Sequence, residues 1–442
     1  MAIFYDYGDP AEVIKLADFA KYNIITSPAN GDMLTFVDNN SQPIEVTCKQ
    51  VPEAAAADPE LESKTAKTWN LTVYKAGTVV EWPSRLSASF KQILSDIDLS
   101  AHTSNGAGRF EWDAPGDRVY TGETATIGLH EHRLTFIPND HGNYESYTIR
   151  VNVRVTAGIE MVRVEAGSFT MGSDDGGEIG ASPAHTVTLS AFNIGKYEVT
   201  QEQYITVMAK NPSYFHGGSG REAASGENQG RRPVEYLEWL DAARFCNILS
   251  VGEGLEPVYS MEGSTEPNKW LQGNDSTLVC NWSANGYRLP TEAQWEYAAK
   301  GGPLAAAPYY TYAGSDDLDE AAWHVGNSCM FSHNEGEHER YCAITHEVGL
   351  KKPNQLGLYD MTGNVNEFIW DNAASNNSPE AYTSSARIDP LGPSDHNNNR
   401  LMRGGGIFYN KPSSEFDVIY RGGTYWLSIN EGNGFRVVRP VD

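Results

Sequence analysis

The sequence predicts an α+β protein in three parts: a small N-terminal segment over residues 1–65, an all-β sandwich over 66–156 and a mixed domain over 157–442. Three observations carry this expectation. Trp69-Asn-Leu-Thr-Val-Tyr74 and Tyr147-Thr-Ile-Arg-Val-Asn-Val-Arg-Val155 alternate with the period of half-buried strands. Thr200 with Gln203, and Thr291 with Gln294, have the spacing of capping boxes that open helices. Long stretches rich in Gly, Asn and Asp separate these signals, and in a compact domain such stretches are functional or pinned loops. At 442 residues and 40% hydrophobic content the chain exceeds one ordinary core and can fill several.

Along the chain, Pro10–Tyr22 gathers Val13, Ile14, Leu16, Ala17, Phe19 and Ala20 and reads as helical. A strand-like stretch and the Ala-rich segment Pro52–Pro59 follow. No motif marks residues 1–65, and attachment is the role their position suggests. In 66–156, Phe110-Glu-Trp112 and Leu134-Thr-Phe-Ile-Pro-Asn-Asp-His-Gly-Asn-Tyr144 lie between the alternating strands. Short strands punctuated by Gly, Pro and Asp predict an antiparallel sandwich. The order Phe-x-Trp, then Thr-Phe-x-Pro, then Val-x-Val-x-Val resembles the MBG-type Ig-like modules of bacterial surface proteins, which implies a spacer.

The third part opens with Met161-Val-Arg-Val-Glu-Ala-Gly-Ser-Phe-Thr-Met-Gly172, then strands at Thr186–Leu189 and Phe192–Val199. The first capping box predicts a helix with Tyr204, Val207 and Met208 on one face. A second helix follows Pro233, with Leu240, Ala243 and Cys246 on one face. The second capping box predicts a third helix that buries Trp295, Ala298 and Ala299 and stops at Gly301-Gly302. Gly286-Tyr-Arg-Leu-Pro-Thr-Glu-Ala-Gln-Trp-Glu-Tyr297 and Gly357-Leu-Tyr-Asp-Met-Thr-Gly-Asn-Val-Asn-Glu367, with Gly434-Phe-Arg436 near the end, resemble the formylglycine-generating enzyme family. That family is a variant of the C-type lectin fold, so the resemblance implies a C-type-lectin-like domain over 157–442.

The resemblance also implies where catalysis would sit. After Arg-Gly-Gly the enzymes carry two cysteines, five residues apart, that bind copper. Copper(I) favours soft thiolates. Here Arg403-Gly-Gly-Gly-Ile-Phe-Tyr-Asn-Lys-Pro-Ser-Ser414 has no cysteine, and the matching positions are Tyr409 and Ser414. No copper is therefore expected and no catalytic residue is assigned. The three-histidine iron motif of the related oxygenases is also absent, and His130, His132, His333 and His338 read as solvated. The five cysteines form no CxxC pair. Cys246 is expected to be a buried thiol, while Cys329 and Cys342 flank a loop that a disulfide would close.

A structural Ca2+ is implied by the same resemblance, on Asp360, Gly363, Val365 and Glu367, because hard cations take carboxylate and carbonyl oxygens. The alternative reading of this turn is a capping Asp with no ion. The family's Trp before the Glu is Asn366 here. Glu266-Pro267-Asn268 matches the sugar-binding tripeptide of animal C-type lectins, but it stands alone and is read as chance.

The C-terminal segment Ile407–Asn433 mixes aromatic and aliphatic residues with Asn, Ser and Gly. Tyr and Trp give rigid contact area, and Ser, Asn and Gly adapt around them. The segment is similar to the ligand face of diversity-generating retroelement variable proteins, which end in Gly-Phe-Arg on the same fold. That resemblance implies a contact surface of Ile407, Phe408, Tyr409, Phe416, Asp417, Tyr425, Trp426, Asn430 and Asn433. The alternative is that part of this set packs the core, where Val418 and Val437 are also expected.

The favoured expectation is a non-enzymatic binder of a protein or glycan receptor on a target cell surface, of phage-tail or adhesin type. The alternatives are an enzyme of the formylglycine-generating or oxygenase type, and a purely structural module. A net charge of −25 argues against nucleic acid and against anionic membrane surfaces. No apolar run is long enough for a membrane-spanning helix. The start has neither the basic nor the apolar region of a Sec signal, so the expected place is a phage virion or a cell surface, with the cytoplasm left open.

Overall fold

The computed structural model describes residues 146–175, 181–218, 221–271, 277–306, 308–328, 343–372, 384–392, 399–409, 414–425 and 429–441 of the C-terminal part. Before that it describes 82–83, 86–89, 92–99, 108–116 and 127–139, with four short strands nearer the start. The chain divides into two compact units, residues 1–86 with 93–119 and 131–153, and residues 87–92 with 120–130 and 154–442.

The four early strands are β1 (Ile3–Tyr5), β2 (Val13–Ile14), β3 (Ile44–Thr47) and β4 (Thr68–Thr72). They form one sheet in the order β2-β1-β4-β3. Val13 and Ile14 are thus strand residues where helix is expected, and the rest of Pro10–Tyr22 lies outside the described residues. β4 pairs with β1 and β3 across the boundary expected at 65/66, because its backbone groups find their partners there. A second sheet has the order β5-β8-β7-β6, from β5 (Leu86–Ser89), β6 (Gly108–Trp112), β7 (Gly128–Pro138) and β8 (Tyr147–Thr156). Leu134, Phe136 and Val153 of this sheet are fully buried, and Trp82 packs against Phe110 at 5.5 Å between ring centroids. Phe110, Leu134, Phe136 and Val153 lie in the stretches that the sequence pointed to. The opposing sheet of an Ig-like sandwich is not among the described residues.

The larger unit carries few helices and many short strands, tied by long loops. β9 (Met161–Val164), β12 (Phe192–Gly195) and the C-terminal β20 (Val438–Pro440) form one sheet. β10 (Gly167–Met171) and β11 (His185–Leu189) form a hairpin that β16 (Arg387–Ile388) extends. β13 (Tyr259–Met261) pairs with β14 (Leu278–Cys280). The sheet that positions the candidate site has the order β18-β17-β15-β19. It consists of β15 (Asn366–Asn372), β17 (Asn399–Arg403), β18 (Gly422–Tyr425) and β19 (Asn433–Phe435), with β19 parallel to β15.

Helices α1 (Gln201–Met208), α2 (Trp239–Gly252) and α3 (Glu292–Ala299) sit where the sequence placed them. Both capping boxes form: the Thr200 hydroxyl accepts from Gln203 N–H, and the Thr291 hydroxyl from Gln294 N–H. Leu240, Ala243 and Cys246 of α2 are fully buried, and burial raises the Cys246 thiol well above its ordinary range. No helix among the described residues is long and apolar enough to cross a membrane.

Helix α3 departs from expectation in one respect. All eight of its residues are buried, including Glu292 and Glu296. Arg403 Nη2 donates to Glu292 at 2.6 Å and to Glu296 at 2.9 Å. Arg421 forks onto both oxygens of Glu292, and Lys300 Nζ reaches Glu296 at 2.8 Å. Burial alone would raise these carboxyls, but Arg421 and Arg403 hold Glu292 below the usual carboxylate range, and Lys300 and Arg403 do the same for Glu296. The Arg of Arg-Gly-Gly and the two Glu of the α3 motif are therefore one buried ionic cluster.

Candidate functional site

The site is built on a second buried network. Arg436 and Glu367 are both fully buried, and Arg436 Nε donates to Glu367 Oε2 at 2.6 Å and Nη2 to Oε1 at 2.5 Å. Trp295 Nε1 adds a third donor to Glu367 at 2.7 Å. The remaining Arg436 donors satisfy the Gly195 and Tyr359 carbonyls. Such a bidentate, fully hydrogen-bonded pair fixes geometry.

Around this pair the turn Gly363-Asn-Val-Asn366 acts as a strap for three loops. Asn364 Nδ2 donates to Glu198 at 2.8 Å, while Asn364 Oδ1 accepts from His346 N–H at 3.0 Å. The Gly404 carbonyl accepts from Gly363 N–H at 2.8 Å, and the Asn364 carbonyl from Ile407 N–H at 3.1 Å. Asn366 N–H donates to the Gly432 carbonyl at 2.7 Å, and its side-chain amide to the same oxygen at 3.3 Å. Asn366, where the family has Trp, thus holds the 430–433 turn. That turn is closed by the Asn430 side chain, which accepts from Gly432 N–H at 2.7 Å.

The loops after β17 and before β19 form the candidate face. Asn430 is exposed, Phe408 and Tyr409 are half-buried, and the Phe408 ring lies over Gly432. Asp417 is half-buried, and its carboxylate accepts from Ile419 N–H. Three expected contact residues are core instead. Ile407 is fully buried with Phe215, Val325, Ala343 and Ile344. Phe416 is fully buried against Leu318 and Ala322. Asn433 is 4% exposed, its amide oxygen turned to Asn366. The first two fill apolar holes behind the loops, and the third opens β19. Tyr425 ends β18 opposite Asn399, and Trp426 lies outside the described residues.

Three residues that sequence reasoning missed lie on or beside this face. Ile429 is 48% exposed and Tyr236 is 41% exposed. Tyr236 has φ 63°, between buried Glu235 and Leu237, and its N–H donates to the Asn430 carbonyl at 3.2 Å. A bulky residue in the left-handed region costs about 1–3 kcal/mol, and such strain collects at functional sites. Tyr214 lies 6.0 Å from Tyr236 between ring centroids, with the Arg221 guanidinium 3.8 Å above its ring. Glu235 holds this turn by accepting from Tyr214 and Phe215 N–H, both at 2.9 Å, and burial pushes its carboxyl up to about 8. Local sequence gives no signal for Tyr236, because its display depends on a turn pinned by the loop near the C-terminus.

The metal expectations can be tested on these contacts. Both oxygens of Glu367 are taken by Arg436 and Trp295, so the set Asp360, Gly363, Val365 and Glu367 does not fit a calcium ion in this arrangement. Asp360 Oδ2 accepts from Gly349 N–H at 2.7 Å, and its buried Oδ1 has no partner. Burial raises the Asp360 carboxyl to about 6. Among the described residues no group of three or more His, Cys, Asp or Glu side chains could hold a metal. At the positions of the family's copper ligands, the Tyr409 ring packs edge-on to Phe416 at 6.1 Å and Ser414 is exposed. A phenol and a hydroxyl do not fit copper(I).

The likeness to known proteins covers this same unit. The sequence profile of the sulfatase-modifying factor enzyme 1-like domain matches residues 150–441. The solved structure of Treponema denticola variable protein 1 is 31% identical with a TM-score of 0.52, over 70% of this chain and 99% of that one. Chaperone protein LppX of Paenibacillus barcinonensis is 35% identical over 291 residues, which is 64% of this chain and 90% of its own length. The formylglycine-generating enzyme of Streptomyces coelicolor is 28% identical over 303 residues, 64% and 89% of the two chains. With its buried arginine–carboxylate frame and its C-type-lectin-like fold, the chain belongs to the sulfatase-modifying factor enzyme 1-like family.

Proposed function

We propose that this chain is a non-catalytic binding protein of the variable-protein type, which engages a receptor on a target cell through the face formed by the 404–409 and 429–433 loops. The observation that carries the reading is the pairing of a rigid buried frame with half-buried Phe408 and Tyr409 and exposed Asn430, while Tyr409 and Ser414 stand where the family's enzymes need thiols. Phe408, Tyr409 and Asn430 supply contact area and adaptable hydrogen bonds, while the frame removes the ordering cost of the loops. The likeness to Treponema denticola variable protein 1 supports the same reading. A phage virion or a cell surface is the setting that suits such a protein.

The test is to sequence the 3′ end of the gene and its flanks across a population of source genomes. Substitutions confined to adenine-containing codons within 407–433, beside a near-copy template and a reverse transcriptase gene, are expected. An invariant end without a template would overturn the variable-protein reading. Copper-dependent oxygen consumption with a cysteine-containing peptide would overturn the non-catalytic one.

A further inference from the structure

We propose that Arg221, Tyr214 and Tyr236 form a carboxylate-reading corner at the edge of this face, and that the partner is a protein presenting an Asp or Glu side chain beside an apolar patch. The inference rests on the binding reading above and names its chemistry. Arg231, Arg403, Arg421 and Arg436 of the same unit each pair with a carboxylate. Arg221 does not: among the described residues its guanidinium has no hydrogen bond and no ion pair, only the face of the Tyr214 ring. Arg154, Arg232 and Arg288 also lack an ion pair among the described residues, but their guanidiniums donate to carbonyl or neutral side-chain oxygens, which leaves Arg221 distinguished by its unused donors.

The stacking gives the arrangement its use. A guanidinium over an aromatic ring keeps its in-plane N–H donors while losing rotamer freedom, which leaves a fork suited to a bidentate carboxylate. Tyr236 stands beside it, exposed on its strained turn and bonded through its backbone to Asn430, so the corner is continuous with the face. Ile429 adds exposed apolar surface next to Asn430. Tyrosine and arginine around an apolar centre are the residues that dominate binding energy in protein–protein contacts.

The probe is a library of short random peptides displayed on phage and selected on the full chain. Selected peptides are expected to carry an Asp or Glu next to an aromatic or aliphatic residue. Arg221→Gln should weaken their binding roughly ten- to hundredfold with melting unchanged. Replacing the peptide's acid by its amide should do the same on the parent chain, with little further loss on R221Q. Tyr236→Ala should also weaken binding. Peptides that depend on Phe408 and Asn430 yet are indifferent to Arg221→Gln would overturn the corner and leave the face standing. Peptides indifferent to every one of these substitutions would overturn both.

Discussion

Replacing Arg436 by Met should unfold the larger unit more readily than almost any other single change, because it strands a buried charge. Glu367 would keep only the Trp295 donor, and the Gly195 and Tyr359 carbonyls would lose theirs. Removing one partner of a fully buried pair costs about 3–5 kcal/mol. At roughly 2–4 °C per kcal/mol for a domain of this size, the melting temperature should fall by about 10 °C. The assay is urea unfolding followed by tryptophan fluorescence, in which Trp295 is a direct reporter. Adding Glu367→Gln to Arg436→Met should restore more than half of the loss, since the stranded charge is then gone. A loss under about 1 kcal/mol, or a double variant as impaired as the sum of the singles, would refute the reasoning.

Asp360→Asn should stabilise the protein at neutral pH. Its folded carboxyl, raised to about 6, lies about two units above the unfolded value, so ionising it costs up to about 3 kcal/mol at pH 7. That cost is absent below about pH 4 and grows as pH rises to 6, so parent and variant melting temperatures should converge in acid; a gain independent of pH would show the account wrong. Asn also suits the φ of 55° at this position. Gly363→Ala should cost at least about 2 kcal/mol, because φ is 84° and a Cβ would lie 2.5 Å from the Trp323 carbonyl oxygen. Gly357→Ala, at φ 77° with open space around it, should cost only about 1 kcal/mol. Equal losses in a denaturation series would remove the steric argument.

What the sequence made legible was local. Both capping boxes form because Thr and Gln meet within one helical turn, and the apolar faces of α1 and α2 follow from their spacing. The buried state of Glu292 and Glu296 was not legible, because Arg403 and Arg421 arrive more than a hundred residues later in the chain. The face was read from composition, which cannot tell a side chain that fills a hole from one that meets solvent. Ile407 and Phe416 proved to be the first kind, Phe408 and Tyr409 the half-buried middle, and Asn430 the second. The partners of β4 were hidden for a similar reason: alternation identifies it as a strand but does not name β1 and β3 as its neighbours.

The seats of the two loops are written largely in main-chain atoms. Gly363 N–H to Gly404, Ile407 N–H to Asn364, Asn366 N–H to Gly432, and Tyr236 N–H to Asn430 are all peptide-to-peptide bonds. None of them depends on which side chain the loop residue carries. A lineage could therefore exchange outward letters at positions such as 408, 409 and 429 without renegotiating the fold beneath them, while the glycines and asparagines of the strap stay under strict selection. The architecture separates what must be inherited from what is free to drift.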